Sequence, residues 1–273
     1  YYNYYASWGG WDQKADDFRR KAYLLKNIHN IDAWIGDIVH QVIKWILESR
    51  FSAKDITEEQ ARSKTKQILK ATWEQSRSKQ WQQNIKRNLN LFEHYYQEEP
   101  TREELSAKLA KVPNSISNLY GSGLLDEFLK LPKDDILTID ELDSFMFEGV
   151  KVFAVPDFAV RNQGYILYDW KTGSPSEKDG LQLSCYTLYA VQKWGADFDE
   201  ITLTPVYLGM QPLVAEQIKD ISQDQVEQYI RSSILEMKSV LSNKEENIAD
   251  IKKCPKTDEA WRCKRCKFKE ICS

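Results

Sequence analysis

The sequence is short of the residues that punctuate a chain: glycine occurs 11 times and proline 8 times in 273 residues. With no low-complexity segment and no fixed-period repeat, this argues against a flexible linker between separate domains and against a repeat architecture. No apolar run approaches the roughly 18 residues of a membrane-spanning helix, so no membrane partner is expected. The opening Tyr1-Tyr2-Asn3-Tyr4-Tyr5 lacks the basic-then-apolar order of a secretory leader. It also lacks an initiator methionine, from which a processed or trimmed start is expected. Excess positive charge is missing as well. Lys and Arg number 38 against 41 Asp and Glu, a net charge of −3, and the pI is about 5.8. Attraction to nucleic acid would therefore have to come from a local patch. Cysteine is scarce and lopsided: of five, four fall among the last twenty residues. That is a poor disulfide framework and reads instead as a metal-binding tail in a reducing, cytoplasmic compartment.

What is present describes an ordinary globular chain: 42% apolar and 29% charged residues with a mean hydropathy of −0.59. The length is about 1.8 times a common domain of about 150 residues, which suggests one large domain or a core with an extension. Residues 14–130 read as helical, with Ile35, Ile38, Val39, Val42, Ile43 and Ile46 forming one apolar stripe. Thr57 and Gln60 have the spacing of a capping box, which predicts a helix start. From 136 to 170 the pattern turns to short β-branched and aromatic runs, predicting strands at 136–139, 144–148, 150–155 and 165–171. A helix at 182–193, a strand at 201–208, a weaker one at 213–218 and a long helix at 223–241 follow. The outline is α/β: a helical region over 1–130, a mixed-sheet core over 131–245 and a Cys-rich tail over 246–273.

The most informative stretch is Val155-Pro156-Asp157-Phe158, followed after a turn at 162–164 by Tyr165-Ile166-Leu167-Tyr168-Asp169-Trp170-Lys171-Thr172-Gly173. Asp157 is expected to close the strand before that turn. Asp169 and Lys171 are two apart on the next strand, so both side chains emerge on one face, roughly 7 Å apart. Two carboxylates and a backbone carbonyl suit Mg²⁺ or Mn²⁺ with positions left for water and a phosphate oxygen. A neighbouring ammonium can then position the attacking water or steady charge growing on phosphate. An Asp-x-Lys triplet alone says little, since Asp12-Gln13-Lys14 and Asp250-Ile251-Lys252 also occur. The competing reading is a solvated strand end with a weak ion pair.

Val155-Pro156-Asp157, Asp169-Trp170-Lys171-Thr172-Gly173 and Gln182-Leu183-Ser184-Cys185-Tyr186, with Gly36-Asp37-Ile38-Val39-His40 upstream, together resemble the PD-(D/E)XK nuclease superfamily in its RecB-like branch. The resemblance implies a restriction-endonuclease-like mixed sheet flanked by helices. The activity it implies is metal-dependent hydrolysis of DNA, more from an end than at a sequence, in repair, recombination or defence. It also implies that His40 joins Asp157 and Asp169 as a metal ligand, that Lys171 assists the water, and that Gln182 and Tyr186 position the strand from one helix face. An acidic residue before the first of these strands belongs to the pattern too, where Asp140 and Glu141 stand. The partners implied are single-stranded DNA or DNA with a free end, and a helicase or other repair or defence subunit. A non-catalytic DNA-binding or assembly subunit that retains the nuclease fold is the alternative.

The tail reads Cys254-Pro255, then Trp261-Arg262-Cys263-Lys264-Arg265-Cys266 through Cys272, a C-x2-C-x5-C core. Thiolates this close can converge on zinc or on an iron–sulfur cluster. The same spacing occurs in relatives resembling AddB-type and CRISPR-associated exonucleases, where a 4Fe–4S cluster takes its fourth cysteine from before the core. No cysteine precedes Cys185 here, so the chain is expected to start just after that ligand. Otherwise Cys254 is the fourth ligand and Zn²⁺ becomes the alternative. Cys185 itself reads as a core thiol.

Residues 61–87 carry Arg62, Lys64, Lys66, Lys70, Arg77, Lys79, Lys86 and Arg87 against the single acid Glu74, a local net charge of +7. Trp73 and Trp81 are interleaved with them, as in a surface that tracks phosphates and stacks on bases. A solvated helix face with core tryptophans is the structural alternative.

Overall fold

A computed structural model describes residues 1–219 and 221–272, and their side chains except at Glu177, Lys178, Asp179, Leu181 and Gln182. The first helices are α1 (Asp17–Lys26), α2 (Ile31–Phe51), α3 (Glu58–Arg77), the short α4 (Phe92–Tyr95), α5 (Arg102–Gly121) and α6 (Leu124–Leu129). Strands β1 (Ile136–Ile139), β2 (Asp143–Phe147), β3 (Val150–Ala154), β4 (Phe158–Arg161) and β5 (Tyr165–Lys171) follow. Helix α7 (Glu177–Trp194), β6 (Ile201–Tyr207), β7 (Val214–Ala215), α8 (Gln223–Ser239), β8 (Leu241–Asn243), β9 (Ile248–Ala249) and α9 (Ala260–Lys264) complete the order. Among the described residues no helix is long and apolar enough to cross a membrane.

The chain divides into two compact units. One comprises 1–31, 70–100 and 231–273; the other comprises 32–69 and 101–230. These boundaries cut across the three contiguous segments outlined from the sequence. The second unit holds a five-stranded mixed sheet in the order β1-β4-β5-β6-β7. Only β5 and β6 run parallel in it. A parallel pair needs a long crossover, and α7 supplies it. Leu183 and Ala190 on α7 are buried together with Ala159, Leu167, Ile201 and Leu203 of the sheet. On α2 all six residues of the predicted stripe are buried, and Phe51 at its end stacks on Phe158 of β4 with ring centroids 6.1 Å apart. The capping box before α3 is present: Thr57 N–H donates to Gln60 Oε1 at 2.9 Å and Gln60 N–H to Thr57 Oγ1 at 3.2 Å.

Two expectations are corrected. The run at 150–155 does not lead into Asp157 as one strand. β3 pairs with β2 as a separate hairpin, and Asp157 immediately precedes β4, a four-residue strand not foreseen. β4 pairs antiparallel with β5, Phe158 opposite Tyr168, so the register carries Asp157 beside Asp169. The π-helical turn at Tyr2–Ala6 and the small β8–β9 ladder were likewise not foreseen.

The first unit packs Leu25, Ile28, Phe92 and Phe268 into a buried cluster. The Cys-rich tail belongs to it: Phe268 stacks on Tyr2 at 5.6 Å, Tyr96 Oη donates to the Lys267 carbonyl at 2.7 Å, and Glu270 accepts from Tyr95 Oη at 2.7 Å.

Candidate active site

Asp169 and Lys171 sit at the C-terminal end of β5, where the alternation of a strand puts both side chains on one face. They form an ion pair, Lys171 Nζ lying 2.7 Å from Asp169 Oδ2. Asp169 is 5% exposed. Its Oδ2 is buried, with the Lys171 ammonium as its neighbour.

Asp157, 7% exposed, is held from two sides. Its Oδ2 accepts the Trp170 backbone N–H at 2.7 Å, and its Oδ1 lies 2.9 Å from His40 Nδ1. His40 reaches the site from α2, whose buried stripe fixes the helix against the sheet. Its Nε2 lies 2.8 Å from the Trp170 carbonyl. Both partners are acceptors, so the ring donates from both nitrogens and is an imidazolium in this arrangement. The electrostatics agree. Burial pulls the His40 pKa down, but the hydrogen bond and charge of Asp157, the Trp170 carbonyl and the charge of Asp169 outweigh it and push it up to about 9. Burial first, and then the charge of Asp157, push the Asp169 carboxyl up, against Lys171 and His40.

A hard divalent cation answers this chemistry. Two like-charged, buried carboxylates are adjacent, and a cation between them relieves the repulsion that raises Asp169. Oxygen donors suit Mg²⁺ or Mn²⁺. His40 is a brace in this arrangement; serving as a ligand would require it to leave Asp157 or the Trp170 carbonyl. In keeping with that, among the described residues no three His, Cys, Asp or Glu side chains stand ready as a metal shell.

Tyr186 lies on the half-buried side of α7 against the sheet core, not on a solvent face. Its Oη donates to the Val155 carbonyl at 3.0 Å, two residues before Asp157. Burial, with the charges of Asp169 and Asp157, holds its phenol protonated far above neutrality. Tyr186 thus steadies the turn that presents Asp157. The side chain of Gln182 lies outside the described residues. Cys185 is half-buried, and burial pushes its thiol up. Lys44 was missed by the sequence reading. Its Nζ donates to the Asp140 carbonyl at 2.6 Å, and Asp140 N–H donates to the Asp157 carbonyl at 2.9 Å. The available signal was its i+4 spacing from His40 on one helix face. Asp140, at φ +47°, serves through both backbone groups, and its carboxylate lies 3.6 Å from Lys44 Nζ.

The basic residues Lys64, Lys66, Lys70, Arg77, Lys79, Lys86 and Arg87 are all exposed. Lys64 and Lys66 belong to the second unit, the other five to the first. Trp73 is half-buried and Trp81 is 8% exposed, so neither offers an open stacking face on the helix surface. In the tail, Cys263 is exposed and Cys254, Cys266 and Cys272 are half-buried. Cys272 and Cys266 add to burial in raising the Tyr2 phenol, and Cys254 does so at Tyr5. Three of the four thiols thus line the same N-terminal turn without converging on one centre.

A buried Asp pair and an Asp-x-Lys strand on a mixed sheet crossed over by a helix are the features of a restriction-endonuclease-like nuclease core. The family model of the PD-(D/E)XK nuclease superfamily matches residues 17–273, and the chain belongs to that superfamily. No curated protein matches it. Among solved structures it is similar to the crystal structure of SSO0001, at 18% identity and a TM-score of 0.33 over 66% of this chain and 78% of that one.

Proposed function

We propose that this nuclease is a Mg²⁺- or Mn²⁺-dependent deoxyribonuclease of the RecB-like branch, acting on single-stranded DNA or on a free DNA end in repair, recombination or defence. The observation that carries the reading is the meeting of Asp157, Asp169 and Lys171 at one strand end, with both carboxylates buried. A scaffold would gain nothing from two adjacent buried acids, because the charge of Asp157 adds to the burial cost of ionising Asp169.

Asp157 and Asp169 would hold the cation, which when bound polarises the phosphodiester and makes its own water acidic. Lys171, paired to Asp169, positions the attacking water and offsets charge on the non-bridging oxygens. His40 keeps Asp157 in place by clamping it to the Trp170 carbonyl, and Tyr186 and Lys44 hold the backbone on either side of it. The exposed basic residues, Lys64 and Lys66 among them, supply phosphate contacts. A helicase partner would deliver the strand. For the tail we propose that Cys263, Cys266 and Cys272, with Cys254, take up a 4Fe–4S cluster or zinc. Because the thiols do not converge, no catalytic step is assigned to that group.

The test is incubation of labelled single- and double-stranded DNA with Mn²⁺ beside Asp169→Asn and Lys171→Ala. Each variant is expected to lose about 10²-fold or more in rate. Equal cleavage by wild type and both variants would sink the catalytic reading and favour the non-catalytic DNA-binding subunit.

A further inference from the structure

The first unit contains a cavity of about 270 Å³ at the C-terminal end of α3, for which the nuclease centre has no use. It is walled by Arg77, Lys79, Gln82 and Gln97, and by the rings of Trp81 and Tyr95. Among the described residues none of those four polar side chains makes a hydrogen bond or ion pair within the protein. Two cations and two amides thus face one opening.

The aromatic wall is built differently from an open stacking platform. Trp81 is 8% exposed, and its ring meets Tyr95 at 5.7 Å with a 54° tilt. A strand lying across the surface cannot reach it. A planar group that enters the cavity can. Tyr95 is fixed from behind, since Lys21 Nζ donates to its hydroxyl at 2.5 Å and that hydroxyl donates to Glu270. His94 completes the wall. Its Nδ1 pairs with Ser76 Oγ at 2.7 Å, and its Nε2 is buried without a hydrogen-bond partner. Burial first, with the charge of Arg77, pulls the pKa of this imidazole down, against the charges of Glu99 and Glu74.

Size and charge narrow the ligand. The volume lies near the lower end of about 300–1,000 Å³ for small-molecule pockets, which excludes a duplex end and admits one nucleotide. Glu74 and Glu99 nearby dilute Arg77 and Lys79, and the α3 carbonyl end adds negative potential. Bare phosphate is therefore poorly served, whereas a base with its phosphate gains stacking, amide hydrogen bonds and two cations together. We propose that this cavity binds one unpaired nucleotide of single-stranded DNA, with the base against Trp81 and Tyr95, its edge on Gln82 and Gln97, and its phosphate on Arg77 and Lys79. It is a holding site for the strand, resting on the reading of DNA as the substrate but independent of cleavage.

The test is fluorescence anisotropy of the full chain in EDTA, where cleavage is off, with labelled dT10 and an abasic decamer carrying the same phosphates. Wild type is expected to favour dT10 about tenfold, within the range for one stacked base. Arg77→Gln and Gln82→Ala, both at exposed positions, are expected to cut that preference below about threefold with unchanged melting temperature. Equal binding of the two decamers by wild type would overturn the proposal. So would variants that weaken both decamers equally, the mark of a general field. Thymidine monophosphate should bind far more weakly than dT10; equal affinity would overturn the assignment to a strand. Base-dependent binding without cleavage in Mn²⁺ would sink the nuclease reading and leave this site standing.

Discussion

His40 shows at the scale of one residue how the site stores its charges. Its folded pKa of about 9 exceeds the ordinary 6.5, so its stabilising contribution in the metal-free protein is fully present below pH 6.5. That contribution is lost as pH rises through about 9. Imidazole NMR shifts in EDTA should report a protonated ring at pH 7.5; a ring titrating near 6.5 would refute the double clamp. His40→Ala removes the partner of a buried carboxylate oxygen, and urea unfolding should register a loss of about 1–3 kcal/mol. Tyr186→Phe deletes one hydrogen bond to the Val155 carbonyl. It should cost about 1 kcal/mol in the same assay with KM unchanged, whereas a raised KM would mean that the phenol touches DNA.

Elements place these residues, and elements are where the sequence was most and least legible. The α2 stripe, the Thr57–Gln60 box and the β5 alternation follow from period and spacing alone, and each is present. β4 escaped because Pro156 and a run of only four residues carry almost no periodic signal. That omission displaced Asp157 from the start of one strand to the end of another. The partnership of His40 with Asp157 came from motif order, because no local pattern joins residues 117 apart. Trp81 was open to either reading, since a tryptophan among cations looks alike from sequence whether it faces water or the core. Helix α2 also yields a prediction at Gly36. A Cβ there would meet only Thr172 Oγ1, at 3.8 Å, an ordinary contact. Gly36→Ala should therefore stabilise α2 by up to about 1 kcal/mol, read as a higher melting temperature.

For the molecule as a whole, a net charge of −3 coexists with a segment at +7, so affinity for DNA should depend steeply on salt. Each phosphate contact contributes about −0.9 to the slope of log K against log salt on duplex and about −0.7 on single strands. Lys64→Ala and Lys66→Ala should each flatten the slope by about one contact without changing sequence preference; an unchanged slope would remove them from the interface. The tail is anchored by packing of the Phe268 side chain, 7% exposed, and by the Tyr96 and Glu270 bonds. Phe268→Ala should destabilise by about 3 kcal/mol and speed proteolysis beyond residue 250. Removal of the zinc or cluster proposed for the tail should shift both in the same direction, and no effect of stripping it would argue against that group.

The clamp between His40 and Asp157 also sets a timetable. His40 leaves the ribosome on a helix made early, while Asp157 and the strand that completes the centre are translated more than a hundred residues later, roughly ten seconds at common elongation rates. Until then the chain has half of a cutting edge. A nuclease assembled from both ends of such an interval carries no complete centre while it is being made.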